Sequence, residues 1–152
     1  MANTYTQIYL QTVFAVSNRD CLIGNEWKDE LNKYITGIVQ NLKHKMLAIN
    51  CASNHIHFLI GYNPNQLLPK LIQEVKANSS KWVNEGSFTK FRFQWQEGYG
   101  TFSYSRSHLD RVIQYIMNQE EHHKNITFKE EYLALLKKFD VEFDERYLFE
   151  FF

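Results

Sequence analysis

Two residue pairs in this 152-residue chain have types and spacings that carry chemistry: His55 with His57, and Tyr115 with Gln119. Residues i and i+2 of a strand point to the same face. If residues 55–62 are a strand, His55 and His57 present two imidazoles together, able to chelate one divalent ion. Ile56, Phe58 and Ile60 then point the other way, toward helices. The same pattern also suits two polar residues on a wet sheet face. Residues i and i+4 of a helix stack on one side, which sets the Tyr115 phenol one turn from the Gln119 amide oxygen. A phenol can attack phosphorus, and the amide can complete a metal site. With a reference pKa of about 10 the phenol is a weak nucleophile at neutral pH. A metal ion polarising a phosphate would stabilise the charge that develops. Three neutral ligands suit a loosely held ion, with water and phosphate oxygens in the other positions. By affinity alone Zn²⁺ or Cu²⁺ would outcompete Mg²⁺ at imidazoles, so these residues do not choose the metal.

The elements that must position these groups can be read from the apolar spacing. Residues 5–16 alternate in part, with Ile8, Leu10, Phe14 and Val16 in phase, and predict a strand; 17–20 form a turn. Leu31, Tyr34, Ile35, Ile38 and Leu42 give residues 26–43 one helical stripe. Residues 46–52 and 55–62 are β-like, joined at Ser53 and Asn54 as a hairpin. Pro69 suits the first turn of a second helix carrying Leu71, Ile72, Val75, Ser79, Trp82 and Val83. Strands are predicted at 93–95 and 101–104. Ser107 is placed to cap a helix over about 107–124, with Leu109, Val112, Ile113 and Ile116 on its apolar face. Thr127 and Glu130 form a capping-box pattern for a last helix ending near Lys138, inside a C-terminal segment of about 127–152. The order through Tyr104 is β-α-β-β-α-β, an α+β, ferredoxin-like core with an antiparallel sheet over about 4–105. That order alone fixes no activity.

Composition narrows the setting. With 44% hydrophobic residues, 22% charged residues, and only two prolines and six glycines, the chain reads as one globular domain over 1–152 without a linker. No run approaches the roughly 20 apolar residues of a membrane helix, and the first residues lack signal-peptide order. Cys21 and Cys51 read as reduced thiols, which fits a cytoplasmic protein. Seventeen basic against 17 acidic residues leave no net charge. A general polyanion binder is thereby disfavoured, and any nucleic-acid contact must come from local patches. Lys76 and Lys81, with Lys90 and Arg92 beyond them, form the best such patch; Lys43, His44 and Lys45 form another. His122 and His123 read as histidines at a helix C-terminus, where positive charge is favoured.

The segment Asn54-His55-Ile56-His57-Phe58 resembles the His-hydrophobe-His motif of HUH endonucleases. Tyr115-Ile-Met-Asn-Gln119 resembles the tyrosine helix of the single-tyrosine insertion-sequence transposases of bacteria. The stretches from Trp95 to Ser103 and from Asn118 to His123 are similar to what flanks that tyrosine. The resemblance implies Mg²⁺ or Mn²⁺ held by His55, His57 and Gln119, with Tyr115 as nucleophile. It further implies nicking and rejoining of single-stranded DNA through a 5′-phosphotyrosine, hairpin element ends as substrate, a homodimer, no nucleotide cofactor and a bacterial cytoplasmic setting. The tyrosine helix of one family subunit can complete the histidine pair of the other. Two alternatives stay open: a silent relative of ferredoxin-like fold that only binds single-stranded nucleic acid, and a metal hydrolase using His55, His57 and water.

Overall fold

The computed structural model describes residues 3–152. Four strands form one antiparallel sheet in the order β2-β3-β1-β4: β1 (Tyr9–Ala15), β2 (Lys45–Cys51), β3 (His55–Gly61) and β4 (Gly100–Tyr104). With α1 (Asn25–Asn41) and α2 (Leu68–Glu85) between them, this is the β-α-β-β-α-β core expected from the sequence. Register fixes the two faces. Val13 stands opposite His57 and Ala15 opposite His55, whereas Phe14 stands opposite Ile56 and Thr12 opposite Phe58. On the Phe14–Ile56–Phe58 face the buried stripes of α1 (Trp27, Leu31, Ile35, Val39) and α2 (Leu71, Ile72, Val75, Val83) close the main core. Each fully buried aliphatic side chain there contributes about 1.5–3 kcal/mol.

The histidine face is not wet. A second cluster, with Ala48 and Leu59 from the sheet and Val112 and Ile116 from α3 (Leu109–Met117), covers one part of it. Buried on both faces, β3 is apolar at every site that does not carry a histidine. Helix α5 (Phe128–Lys138) closes the rest. Its capping box is formed by Thr127 and Glu130, as the sequence indicates. Gly100 permits its close approach: a Cβ there would lie 2.6 Å from the Tyr132 hydroxyl oxygen. The C-terminal tail then returns over α5, with Phe149 packed on Tyr132 at 4.9 Å and on Phe128 at 5.9 Å between ring centres.

Three expectations need correction. The first strand is shorter, beginning at Tyr9. No strand forms at 93–95; only Trp95 bridges to Val16. The Asn84 side chain supplies both bonds a neighbouring strand would have given Phe93, accepting from its N–H at 2.7 Å and donating to its carbonyl at 3.1 Å. Nor is 107–124 one helix capped by Ser107. Ser107 Oγ bonds Ser105 and the His108 ring instead, and the chain breaks at Asn118 into α3 and the short α4 (Gln119–His122). The cause is Asn50 of β2, whose amide donates to the carbonyls of Ile116 at 3.0 Å and Met117 at 3.3 Å. It satisfies the exposed carbonyl end of α3. Cys21 and Cys51 are both free and buried. Among the described residues no helix is long and apolar enough to cross a membrane.

Candidate active site

The strand and the broken helix bring all four sequence-nominated residues together. His55, His57 and Gln119 are fully buried, and Tyr115 is half-buried. The Tyr115 and His57 rings meet edge-to-face with centres 5.8 Å apart. Gln119 is held from behind: its Nε2 donates to the Tyr115 carbonyl at 3.2 Å, which turns Oε1 to within 3.3 Å of His55 Nε2. The turn at Asn118 therefore preserves the four-residue relation that an unbroken helix would have provided.

The residue the sequence reading passed over lies at the centre. Glu131 of α5 is 1% exposed. Its Oε1 lies 3.1 Å from His55 Nε2, 2.9 Å from His57 Nε2 and 3.1 Å from His123 Nε2. Its Oε2 accepts from the Tyr115 hydroxyl and lies 3.5 Å from His122 Nε2. His122 and His123 thus face the site rather than merely ending a helix. One signal was available in advance. Phe128, Tyr132 and Leu135 make the buried face of α5, and Glu131 sits within that stripe. A carboxylate on an apolar face demands partners.

The charge balance follows from this packing. Burial opposes ionisation of Glu131, but the surrounding histidines, His123 foremost, outweigh it and hold the carboxyl far below the usual carboxylate range. His123 is pushed down by burial and up more strongly by Glu131, ending above an ordinary histidine. Burial pulls His55 down to about 4, so its ring is neutral at pH 7. The Tyr115 phenol is pushed well above its usual value, by burial first and then by the Glu131 charge.

Tautomers decide whether a metal fits. His55 Nδ1 lies 2.7 Å from Asn54 Oδ1, an acceptor, while the Asn54 amide nitrogen reaches the Phe152 carbonyl at 3.4 Å. The single proton of neutral His55 therefore sits on Nδ1, and Nε2 turns a lone pair toward two further acceptors, Gln119 Oε1 and Glu131 Oε1. His123 Nε2 lies beside both oxygens, at 3.0 Å from Gln119 Oε1 and 3.1 Å from Glu131 Oε1, and the His55 imidazole nitrogen with the two oxygens makes a donor set suited to a cation. Their separations of 3.1 and 3.3 Å, with 2.9 Å from His57 Nε2 to Glu131 Oε1, match the edge of about 3.0 Å of an octahedron with 2.1 Å bonds. His57 Nδ1 is bonded by Gln11 at 2.9 Å, whose Oε1 accepts from the Tyr104 hydroxyl. Because a hydroxyl can donate or accept, Gln11 can turn over so that its Oε1 accepts from His57 Nδ1–H, the tautomer that frees His57 Nε2 as a ligand. The residues fit a divalent ion.

The family described as Transposase IS200 like matches residues 4–119, a segment containing both histidines, Tyr115 and Gln119. This chain belongs to the IS200-like transposase family. No curated protein sequence matches this transposase. Among solved structures it is similar to a candidate transposase from Deinococcus radiodurans R1, at 18% identity and TM-score 0.61, covering 78% of this chain and 95% of that one. It is also similar to the REP-associated tyrosine transposase bound to a REP hairpin, at 12% identity and TM-score 0.60, covering 81% of this chain and 73% of that one. At such identities the likeness is one of fold. Helix α5 and Glu131 lie beyond the family-matched segment.

The four cations nominated for DNA lie away from this site. Lys76, Lys81 and Arg92 line an open groove of about 1250 Å³ between α2 and the 92–99 loop. Lys76 is half-committed already: its ammonium donates to the Gln96 and Gly98 carbonyls at 2.8 and 2.6 Å, and burial lowers it to about 8. Lys90 lies over the Phe91 ring, 5.6 Å from its centre. Beside Tyr115 and Glu131 a second cavity of about 560 Å³ is lined also by His108, Arg111, His122 and Lys138. Sequence reasoning did not single out Arg111 and Lys138, because they become neighbours only when α5 packs against α3.

Proposed function

We propose that this IS200-like transposase nicks and rejoins single-stranded DNA at the ends of a mobile element, through a 5′-phosphotyrosine on Tyr115. His55, His57 and Gln119 would hold Mg²⁺ or Mn²⁺. The observation that carries the reading is the convergence of Tyr115 with two buried histidines and an amide oxygen whose lone pairs face a common point. When bound, the ion would polarise the scissile phosphate and offset negative charge near the phenol.

The chain's own groups do the rest. Gln119 is oriented by the Tyr115 carbonyl, and His55 by Asn54. Arg111 and Lys138, on the wall of the cavity beside Tyr115, suit the phosphates flanking the cut. As the phenol oxygen gives up its proton and bonds phosphorus, the P–O3′ bond breaks and the departing oxygen takes up one proton as a free 3′-hydroxyl, so the exchange is proton-neutral. That hydroxyl later attacks a phosphotyrosine and restores a phosphodiester, so no nucleotide cofactor is required.

The 5.8 Å approach of Tyr115 to His57 of its own chain supports action within one subunit. A homodimer would then serve to hold two DNA ends. The hairpin bound to the REP-associated relative supports a hairpin substrate here, with Lys81, Lys90, Arg92 and, in part, Lys76 meeting its backbone. A bacterial cytoplasmic setting accords with this chemistry.

The test is incubation with labelled single-stranded hairpin DNA and Mn²⁺, read on a denaturing gel. The expected result is a covalent adduct that Tyr115→Phe abolishes. Cleavage surviving that substitution would point to a water-using hydrolase, and binding without cleavage to a silent binding domain.

A further inference from the structure

Glu131 has no place in the ligand set His55–His57–Gln119, yet it lies nearer to both histidine Nε2 atoms than Gln119 does to His55. A buried carboxylate could be there only to neutralise imidazolium groups. His123 answers that description, since its Nδ1 donates to the Ile126 carbonyl at 2.9 Å and its Nε2 lies 3.1 Å from Glu131 Oε1 and 3.0 Å from Gln119 Oε1. His55 does not. Its Nδ1 is engaged by Asn54 Oδ1 at 2.7 Å, and its Nε2 lies 3.1 Å from Glu131 Oε1 and 3.3 Å from Gln119 Oε1, two acceptors at one nitrogen. The ligand atoms of His55, His57 and Glu131 all lie within 4.8 Å of one another, an arrangement a shared cation would satisfy. Glu131 Oε1 also lies within an octahedral edge of His57, and Oε2 holds the Tyr115 hydroxyl.

We infer that Glu131 is an anionic fourth ligand of the metal, supplied by α5, and that its second oxygen aligns the tyrosine nucleophile on the same ion. This rests on the metal-and-tyrosine reading above. A carboxylate changes the site chemically. It replaces a neutral, imidazole-weighted set by two nitrogens and two oxygens with one negative charge, which favours hard ions such as Mn²⁺ and Mg²⁺ over a set of neutral donors alone. It also makes metal binding depend on the docking of α5. That docking is secured by Phe149 on Tyr132 and by Gln96, which accepts from the Glu150 N–H at 2.8 Å and donates to the Glu150 carbonyl at 2.9 Å.

The experiment is titration of the full chain with Mn²⁺ in the absence of DNA, following free Mn²⁺ by electron paramagnetic resonance. Glu131→Gln is expected to weaken Mn²⁺ at least 10–100-fold, with Tyr115→Phe within about twofold of wild type and His57→Ala abolishing binding. Wild-type or tighter affinity in Glu131→Gln overturns the inference, the tighter case marking the carboxylate as a plug, while loss in His57→Ala leaves the histidine site standing. Absence of Mn²⁺ binding by the wild type would overturn both readings. Should Glu131→Gln not fold, the wild type still decides. Electron–nuclear double resonance on Mn²⁺-loaded protein with ¹³C-carboxylate glutamate should show a directly bound carboxylate carbon, and a spectrum without it overturns the assignment.

Discussion

The wall of the candidate site is built from two parts of the chain that differ in kind. The sheet, α3 and the first residue of α4, inside the family-matched segment, contribute His55, His57, the Tyr115 phenol and the Gln119 amide. The C-terminal segment contributes charge, with Glu131 at the centre and His123 bonded to it. The first part is held by strand register and by Asn50 at the end of α3. The second is held by aromatic packing of α5 and the tail. The difference teaches that geometry and charge are supplied separately, so each can be disturbed while the other persists.

The largest expected effect falls in the first part. Tyr115→Phe should remove the covalent adduct completely while stability falls by only about 1.5–3 kcal/mol, the range for one hydrogen bond to a charged group; calorimetry and the adduct gel check both. Next in size is Phe149→Ala in the second part. Loss of a buried aromatic should cost about 3–5 kcal/mol, and Mn²⁺ affinity should fall although no ligand has changed. If the protein is destabilised but binds Mn²⁺ as before, the two parts are not coupled through α5. Gly100→Ala should act in the same direction more weakly, because the added methyl drives against Tyr132; Mn²⁺ titration measures it.

Acid should break the balance between the parts. His55 is held to about 4 against 6.5 in the unfolded chain. Between those values the unfolded state binds a proton that the folded state refuses, so stability falls as pH drops from 6.5 to 4. Glu131, held low, loses its contribution in the same direction below about 4.5. His123, raised, acts oppositely and only above that window, its contribution fading as pH rises through its folded value. Melting temperature against pH, with His55→Ala flattening the 6.5-to-4 limb, is the check. The smallest effect belongs to the groove: Arg92→Ala should weaken hairpin binding several-fold and lower the salt slope by about one.

The part of this wall built on the sheet and the tyrosine helix was legible in the sequence, and the carboxylate supplied by α5 was not. A two-residue histidine spacing on β3 and a four-residue spacing from Tyr115 to Gln119 are local patterns, and both survived folding, the second across an unforeseen break. The expected strand at 93–95 shrank to a single bridge from Trp95 to Val16, because the Asn84 side chain takes the N–H and carbonyl of Phe93 that a ladder would have used. Glu131 was hidden because its partners lie 74 and 76 positions away along the chain on β3, and only the packing of α5 brings them together. The capping box beside it drew the eye to Glu130, the solvent-facing neighbour.

Tyr104 and Tyr115 line the same cavity, and burial raises the Tyr104 phenol to about 12. Mass-spectrometric mapping of the DNA-bound peptide after reaction with single-stranded hairpin DNA and Mn²⁺ therefore tests the central claim most directly. A nucleotide linked through its 5′-phosphate to Tyr115 is the predicted result. A linkage at Tyr104 or any other residue, or cleaved DNA with no linked peptide, would contradict it.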